Sequence, residues 1–390
     1  MRNVKLLYII NALYYSWFWL GIWVLYYLKF GGFSVVGLLE VVMIVSTIIF
    51  EIPTGAIGDL LGKKKTLIIA CFLAGVAQIW TGVSPSILHL VLALVLLNFG
   101  GALRSGTFEA MIYDSLKDEG KEKQYMRVVS NMGAVRLATL AVVSLVGGIM
   151  YKYGNGLPYI VNGITFLIAA VVASFLTEPR IDSEKFNLRN YIKQNVIGFK
   201  QLFINHYSAL RTIGLLLVMM VTLIVWEGIN DILSVKYGFT ATQLGFLSSI
   251  FALAGAGGSV IAGKLSEKVD HNILYFGSLV LYILSMLVSP FVGMIVGGGT
   301  ILLRNFVSPL LDNETSTIIN NQVESKYRAT ALSSFSMLTS LPYAILIFPI
   351  TASIDRFPAT WVAFSLGLFL ILAFAVNLFV FKRKQILSPD

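Results

Sequence analysis

The chain has 390 residues, of which 57% are hydrophobic and 13% charged, with a formal net charge of +9 and a mean hydropathy of +0.80. A soluble globular domain carries roughly 25% charged residues, so a soluble enzyme or binding module is excluded and the chain reads as an all-α polytopic membrane protein. The basic excess does not mark a nucleic-acid partner, because Lys and Arg stand in short clusters between apolar runs and never form a continuous stripe.

Apolar windows of about 19 residues fall at 5–28, 34–58, 66–84, 87–115, 126–151 and 156–176. After a polar interval they return at 211–235, 242–266, 272–290, 292–320, 327–353 and 358–381. This predicts twelve transmembrane helices in two pseudo-symmetric six-helix halves, residues 1–176 and 209–390, with a cytoplasmic linker over 177–208. The first run, Leu6 to Leu28, is too long for a signal-peptide core and no small-residue cleavage site follows it, so it is expected to remain as a helix. In the linker, Arg180, Lys185, Arg189, Lys193 and Lys200 interleave with Phe186, Leu188, Ile192, Val196, Phe199 and Leu202. That spacing suits an amphipathic helix on the membrane surface, and a solvated linker is the alternative.

With both termini and the even-numbered loops in the cytoplasm, 22 of the 29 Lys and Arg residues lie on that side. Only Lys29, Lys152, Lys236 and Arg356 fall in the outer loops. The positive-inside rule therefore places a multi-pass chain in the cell inner (plasma) membrane with both ends cytoplasmic.

Three arginines remain inside the apolar runs: Arg104 in the fourth, Arg136 in the fifth and Arg304 in the tenth. They are accompanied by Glu51, Glu109, Glu227, Asp231, Asp312 and Glu314. Ionisable groups at bilayer depth cost several kcal/mol unless paired or hydrated. Arg104, Glu109, Glu227, Asp231, Arg304 and Asp312 are thus candidates for a substrate and proton pathway, with static struts between helices as the alternative. Arg104 and Arg304 are expected to find a carboxylate or to line water, and Glu227 and Asp231, four residues apart, to share a helical face. Tyr14 and Trp17 lie deep enough in the first run to stack on a flat or cationic substrate, although lipid packing explains such aromatics equally well.

Between the second and third runs lies Gly55 to Lys65, read as Gly-Ala-Ile-Gly-Asp-Leu-Leu-Gly-Lys-Lys-Lys. The glycine and acid recur 208 positions later, Gly55 with Gly263 and Asp59 with Glu267, as in transporters built from repeats. The stretch resembles the signature loop of the major facilitator superfamily of membrane transporters, Gly-x-x-x-Asp-Arg-x-Gly-Arg-Arg. Gly55, Asp59, Gly62, Lys63 and Lys64 fall on that pattern, and Leu60 stands where an Arg is usual. The resemblance implies that helices one, four, seven and ten line a central cavity. It also implies that Asp59, Lys63 and Asp114 form a cytoplasmic gate cluster, with Gly263 and Glu267 at its repeat.

The runs Phe50-Glu51-Ile52-Pro53-Thr54-Gly55 and Tyr113-Asp114-Ser115-Leu116 resemble prokaryotic multidrug efflux members. Of the helix-five motif of drug and proton antiporters, only Gly147 and Gly148 are kept. The expected function is secondary active transport by alternating access, as proton-coupled efflux of amphipathic or hydrophobic small molecules. Uptake of a polar metabolite (a sugar, nucleoside or organic acid) and lipid flipping are the alternatives. His89, His206 and His271 sit at segment ends without an acid-rich pattern, and Cys71 is the only cysteine, so neither a membrane enzyme nor a metal site is expected. No cofactor is expected, and no phosphate-binding glycine loop points to ATP. The expected partners are a small-molecule substrate, protons and membrane lipids, with the chain acting as a monomer.

Overall fold

The computed structural model describes residues 2–179 and 188–387, and among these the side chains of all but 52, 53, 55–60, 188–192, 194, 195 and 383–387. No strand occurs among the described residues. Among the described residues eleven helical spans are long and apolar enough to cross a membrane. The helical form follows from the solvent: in hydrocarbon every backbone N–H and C=O must be satisfied within the segment.

In chain order the helices are α1 (Arg2–Tyr14), α2 (Trp23–Tyr27), α3 (Phe33–Leu61), α4 (Lys63–Gly82), α5 (Ile87–Arg104), α6 (Thr107–Lys117), α7 (Tyr125–Met150) and α8 (Leu157–Ser174). They continue as α9 (Leu188–Leu202), α10 (His206–Ile224), α11 (Asn230–Lys236), α12 (Ala241–Ser266), α13 (His271–Leu287), α14 (Met294–Asn320), α15 (Arg328–Ser353) and α16 (Ala359–Leu387). The linker helix α9 packs on α15 at Gly198, where an added Cβ would come within 2.4 Å of the Thr330 carbonyl oxygen. The signature stretch falls on the end of α3 and the start of α4, with Gly62 at φ 82° making the turn between them. That left-handed value favours glycine.

Of the apolar runs expected to be single helices, two are interrupted and a third is distorted. The first run breaks between α1 and α2, where residues 15–22 form successive turns. Asn162 of α8, fully buried, donates to the Ser16 carbonyl at 2.9 Å and accepts from Trp19 Nε1 at 2.8 Å. The same segment brings the Phe18 carbonyl so close to Gly147 of α7 that no side chain fits there. The interruption, in a stretch with Gly21 but no proline, is thus held by its neighbours, and irregular backbone persists in a membrane only where protein covers it or water reaches it. The fourth run breaks at Ser105 and Gly106, the latter at φ 69°, between α5 and α6. The seventh stays continuous but relaxes into a π-helical turn over Val225–Ile229, between α10 and α11.

The chain forms two compact units, residues 1–188 with 240–249, and residues 189–239 with 250–390. They differ from an even split at the start of α12, which belongs to the first unit. Gly245 of α12 lies against Gly148 and the Ser144 carbonyl of α7, and paired small residues let the two backbones meet.

Candidate functional site

In the first unit, α5 ends on Arg104, which is 7% exposed. Its guanidinium lies 4.1 Å from the centre of the Tyr14 ring, 4.3 Å from that of Phe108 and 5.2 Å from that of Tyr15. Of the two expected surroundings, a carboxylate or water, the carboxylate is absent: among the described residues Arg104 makes no hydrogen bond or ion pair, and its Nε is buried without an acceptor. Ring faces take the carboxylate's place, since their quadrupoles attract a cation within about 6 Å. Arg136 of α7 is exposed and approaches the same Tyr15 ring at 5.3 Å. Tyr14 also stacks on Phe166 at 4.7 Å, and half-buried Trp17 lies 5.3 Å from Tyr15. The break after Arg104 leaves Glu109 exposed in the first turn of α6, in no ion pair among the described residues.

Lower on the fourth run, Asp114 of α6 is 1% exposed at its side chain and pairs with Lys63 Nζ at 2.7 Å. Asp59, expected as the third member, and Gly55 lie outside the described side chains. The turn has a different additional partner: Glu178, after α8, accepts from the backbone N–H of Lys63 at 2.6 Å and of Lys64 at 2.8 Å. A carboxylate there satisfies orphan donors at the start of α4 and complements the helix dipole. Sequence reasoning missed Glu178, although its place directly before Pro179 at a helix end was a usable signal.

The second unit holds a cavity of about 450 Å³ between α10 with its π turn, α14 and α15. Glu227, at the centre of the π turn, and Asp312 of α14 both line it, with Trp226, Met219 and Phe335 on its apolar wall and Ser308, Ser316, Ser336 and Ser340 as hydroxyls. Among the described residues no Lys or Arg lines it. Both acids are exposed to the cavity, and among the described residues neither makes a hydrogen bond or ion pair. Asp231 is half-buried and is not one of the lining residues. A π turn bonds i to i+5 instead of i+4, so the four-residue spacing of Glu227 and Asp231 does not align them as it would on a regular α-helix.

Arg304 of α14 is also outside this cavity. It is fully buried and donates from Nε to Asn230 Oδ1 at 2.8 Å and from Nη1 to the Ser285 carbonyl at 2.9 Å, with Nη2 left over. Neutral acceptors hold it as a strut among α11, α13 and α14, in place of the expected carboxylate. Glu314, 2% exposed at its side chain, meets His271 Nδ1 at 2.7 Å at the start of α13. Sequence reading passed over His271 because its partner lies 43 positions away on another helix. Glu267 is exposed and unpaired among the described residues, and an added Cβ at Gly263 would meet nothing within 4 Å. The repeated motif therefore makes no close helix contact there.

The two units carry matching pairs. Arg104 and Arg304 stand 200 positions apart, as do Asp114 and Glu314, and Lys63 and His271 stand 208 apart. The ion pair Lys63–Asp114 and the pair His271–Glu314 thus occupy corresponding ends of corresponding helices, as internal repeats require.

Residues 6–341 match the family model of the Major Facilitator Superfamily. An uncharacterized MFS-type transporter, YxaM of Bacillus subtilis (strain 168), is 22% identical over 260 residues, which are 64% of this chain and 63% of that protein's length. Among solved structures, the nucleoside transporter NupG superposes with a TM-score of 0.81 at 14% identity, over 98% of this chain and all of that one. A bacterial homolog to the human lysosomal transporter Spinster superposes with a TM-score of 0.74 at 13% identity, over all of this chain and 98% of that one. At these identities the superpositions establish the fold.

Proposed function

The chain belongs to the Major Facilitator Superfamily, and we propose that it is a proton-coupled secondary transporter that exports amphipathic small molecules by alternating access. It is a multi-pass membrane protein and a transporter rather than an enzyme. In this reading it works as a monomer in the inner (plasma) membrane with both termini cytoplasmic, in keeping with its basic loops.

The observation that carries the reading is the cavity of the second unit, where Glu227 and Asp312 face the same space with no Lys or Arg among the described residues of its wall. Two carboxylates facing one cavity repel when both are ionised. A proton relieves that repulsion, so occupancy of the cavity by a proton or by substrate changes the energy of moving these acids through the transport cycle. Glu227 lies in a π turn, a local distortion frequent at functional sites. Lys63–Asp114, tied through the α4 start to Glu178, supplies the cytoplasmic gate element, whose charge-assisted bonds must open and re-form.

The serine-rich wall of the same cavity favours a second reading, uptake of a polar metabolite. Purified protein in liposomes, offered amphipathic dyes and polar metabolites with and without an imposed pH gradient, tests both. Export by proton exchange requires dyes to accumulate in the acidic compartment, against their gradient, and to stop when the pH gradient is collapsed. Gradient-driven accumulation of sugars or nucleosides with none of the dyes would replace the export reading.

A further inference from the structure

The repeat supplies a comparison within one molecule. Arg104 and Arg304 occupy corresponding positions in the two units, yet Arg304 is committed to Asn230 and Ser285, while Arg104 donates to no acceptor among the described residues. Arg104 is 7% exposed and its Nε is buried without an acceptor, which is costly, and its aromatic neighbours do not meet the in-plane N–H groups, because rings engage only the guanidinium face. From this we propose that Arg104 binds an anionic group of the transported molecule, a carboxylate or a phosphate.

The surroundings fit that group. Arg136 shares the Tyr15 ring with Arg104, at 5.3 and 5.2 Å, so a second cation adds to the positive field there. The first turn of α6 has no side-chain cap, and its N-terminal partial positive charge adds to theirs. Phe108 in that turn touches the Arg104 guanidinium. Glu109 is the acid of that turn, and it makes no ion pair with either arginine among the described residues. Tyr15 and Trp17, both half-buried and 5.3 Å apart, put aromatic surface beside the arginines for a flat apolar body. The substrate is then an amphipathic organic anion. The proposal rests on the export reading for the word substrate, but its test is equilibrium binding and needs neither proton coupling nor direction.

Purified protein is titrated calorimetrically, without a pH gradient, with benzoate, phenyl phosphate, benzyl alcohol and benzylammonium. One or both anions are expected to bind saturably, at least about tenfold more tightly than the alcohol and the cation, and the stronger of the two tells carboxylate from phosphate. Loss of a charge-assisted bond in Arg104→Gln weakens that anion by about 10- to 100-fold, while Arg104→Lys restores part of the loss and the thermal midpoint checks the fold. If Arg104→Gln does not fold, the probe ranking on the unaltered protein and a smaller loss in Arg136→Gln decide alone. Absence of saturable anion binding, benzyl alcohol as tight as the anions, or full affinity in folded Arg104→Gln would each overturn the proposal.

Discussion

At the scale of single residues, the two partners of the Lys63–Asp114 pair are unequal. The lysine side chain is 13% exposed and the aspartate 1%. Removing Lys63 strands a carboxylate in the interior, whereas removing Asp114 leaves an ammonium whose flexible stem reaches water. Lys63→Met is therefore expected to cost about 3 kcal/mol of stability and Asp114→Asn about 1 kcal/mol, read from denaturant unfolding in micelles. Equal losses would mean that both charges are equally shielded. The same scale shows where sequence reading stops. Lys63 and Asp114 could be paired in advance because a known pattern joins them, but nothing in the runs around Arg104 announced Tyr14, Tyr15 and Phe108 as its neighbours. Arg304 was legible as a buried charge with a strut as the alternative, but its acceptors, an amide and a backbone carbonyl, were not.

At the scale of elements, hydropathy located the spans well, because membrane insertion is decided by summed apolarity over about 19 residues. It did not reveal their interruptions. The first run has no proline between Tyr14 and Trp23, and its break depends on Asn162, more than 140 positions away. Asn162→Leu removes both the donor to Ser16 and the acceptor for Trp19. It is expected to destabilise by about 2 kcal/mol and to raise the exposure of Trp19, seen as a red shift in tryptophan emission. An unchanged unfolding midpoint would show that the break does not need this side chain. The π turn makes a second case. Deleting Gly228 returns α10 and α11 to α-helical register and rotates Glu227 relative to Asp312. Helix content by circular dichroism is expected to hold while gradient-driven transport is lost; retained transport would show that the π turn is dispensable.

At the scale of the whole molecule, two units built from one ancestral pattern have kept their paired ends and diverged in their interiors. One unit gathers cations and aromatics around Arg104, and the other gathers Glu227 and Asp312 around a cavity. The acids were legible as intramembrane charges. Their convergence was implied only by the resemblance, because α10 and α14 are brought together by tertiary packing with no local signal in the runs themselves. The central claim is that these acids carry the coupling proton. It is tested by reconstituting Glu227→Gln and Asp312→Asn and measuring gradient-driven net accumulation beside substrate exchange at equal pH on both sides. Neutralising a coupling acid is expected to reduce net accumulation at least about tenfold while exchange persists, because exchange needs no net proton movement. Full gradient-driven accumulation in both variants would contradict it.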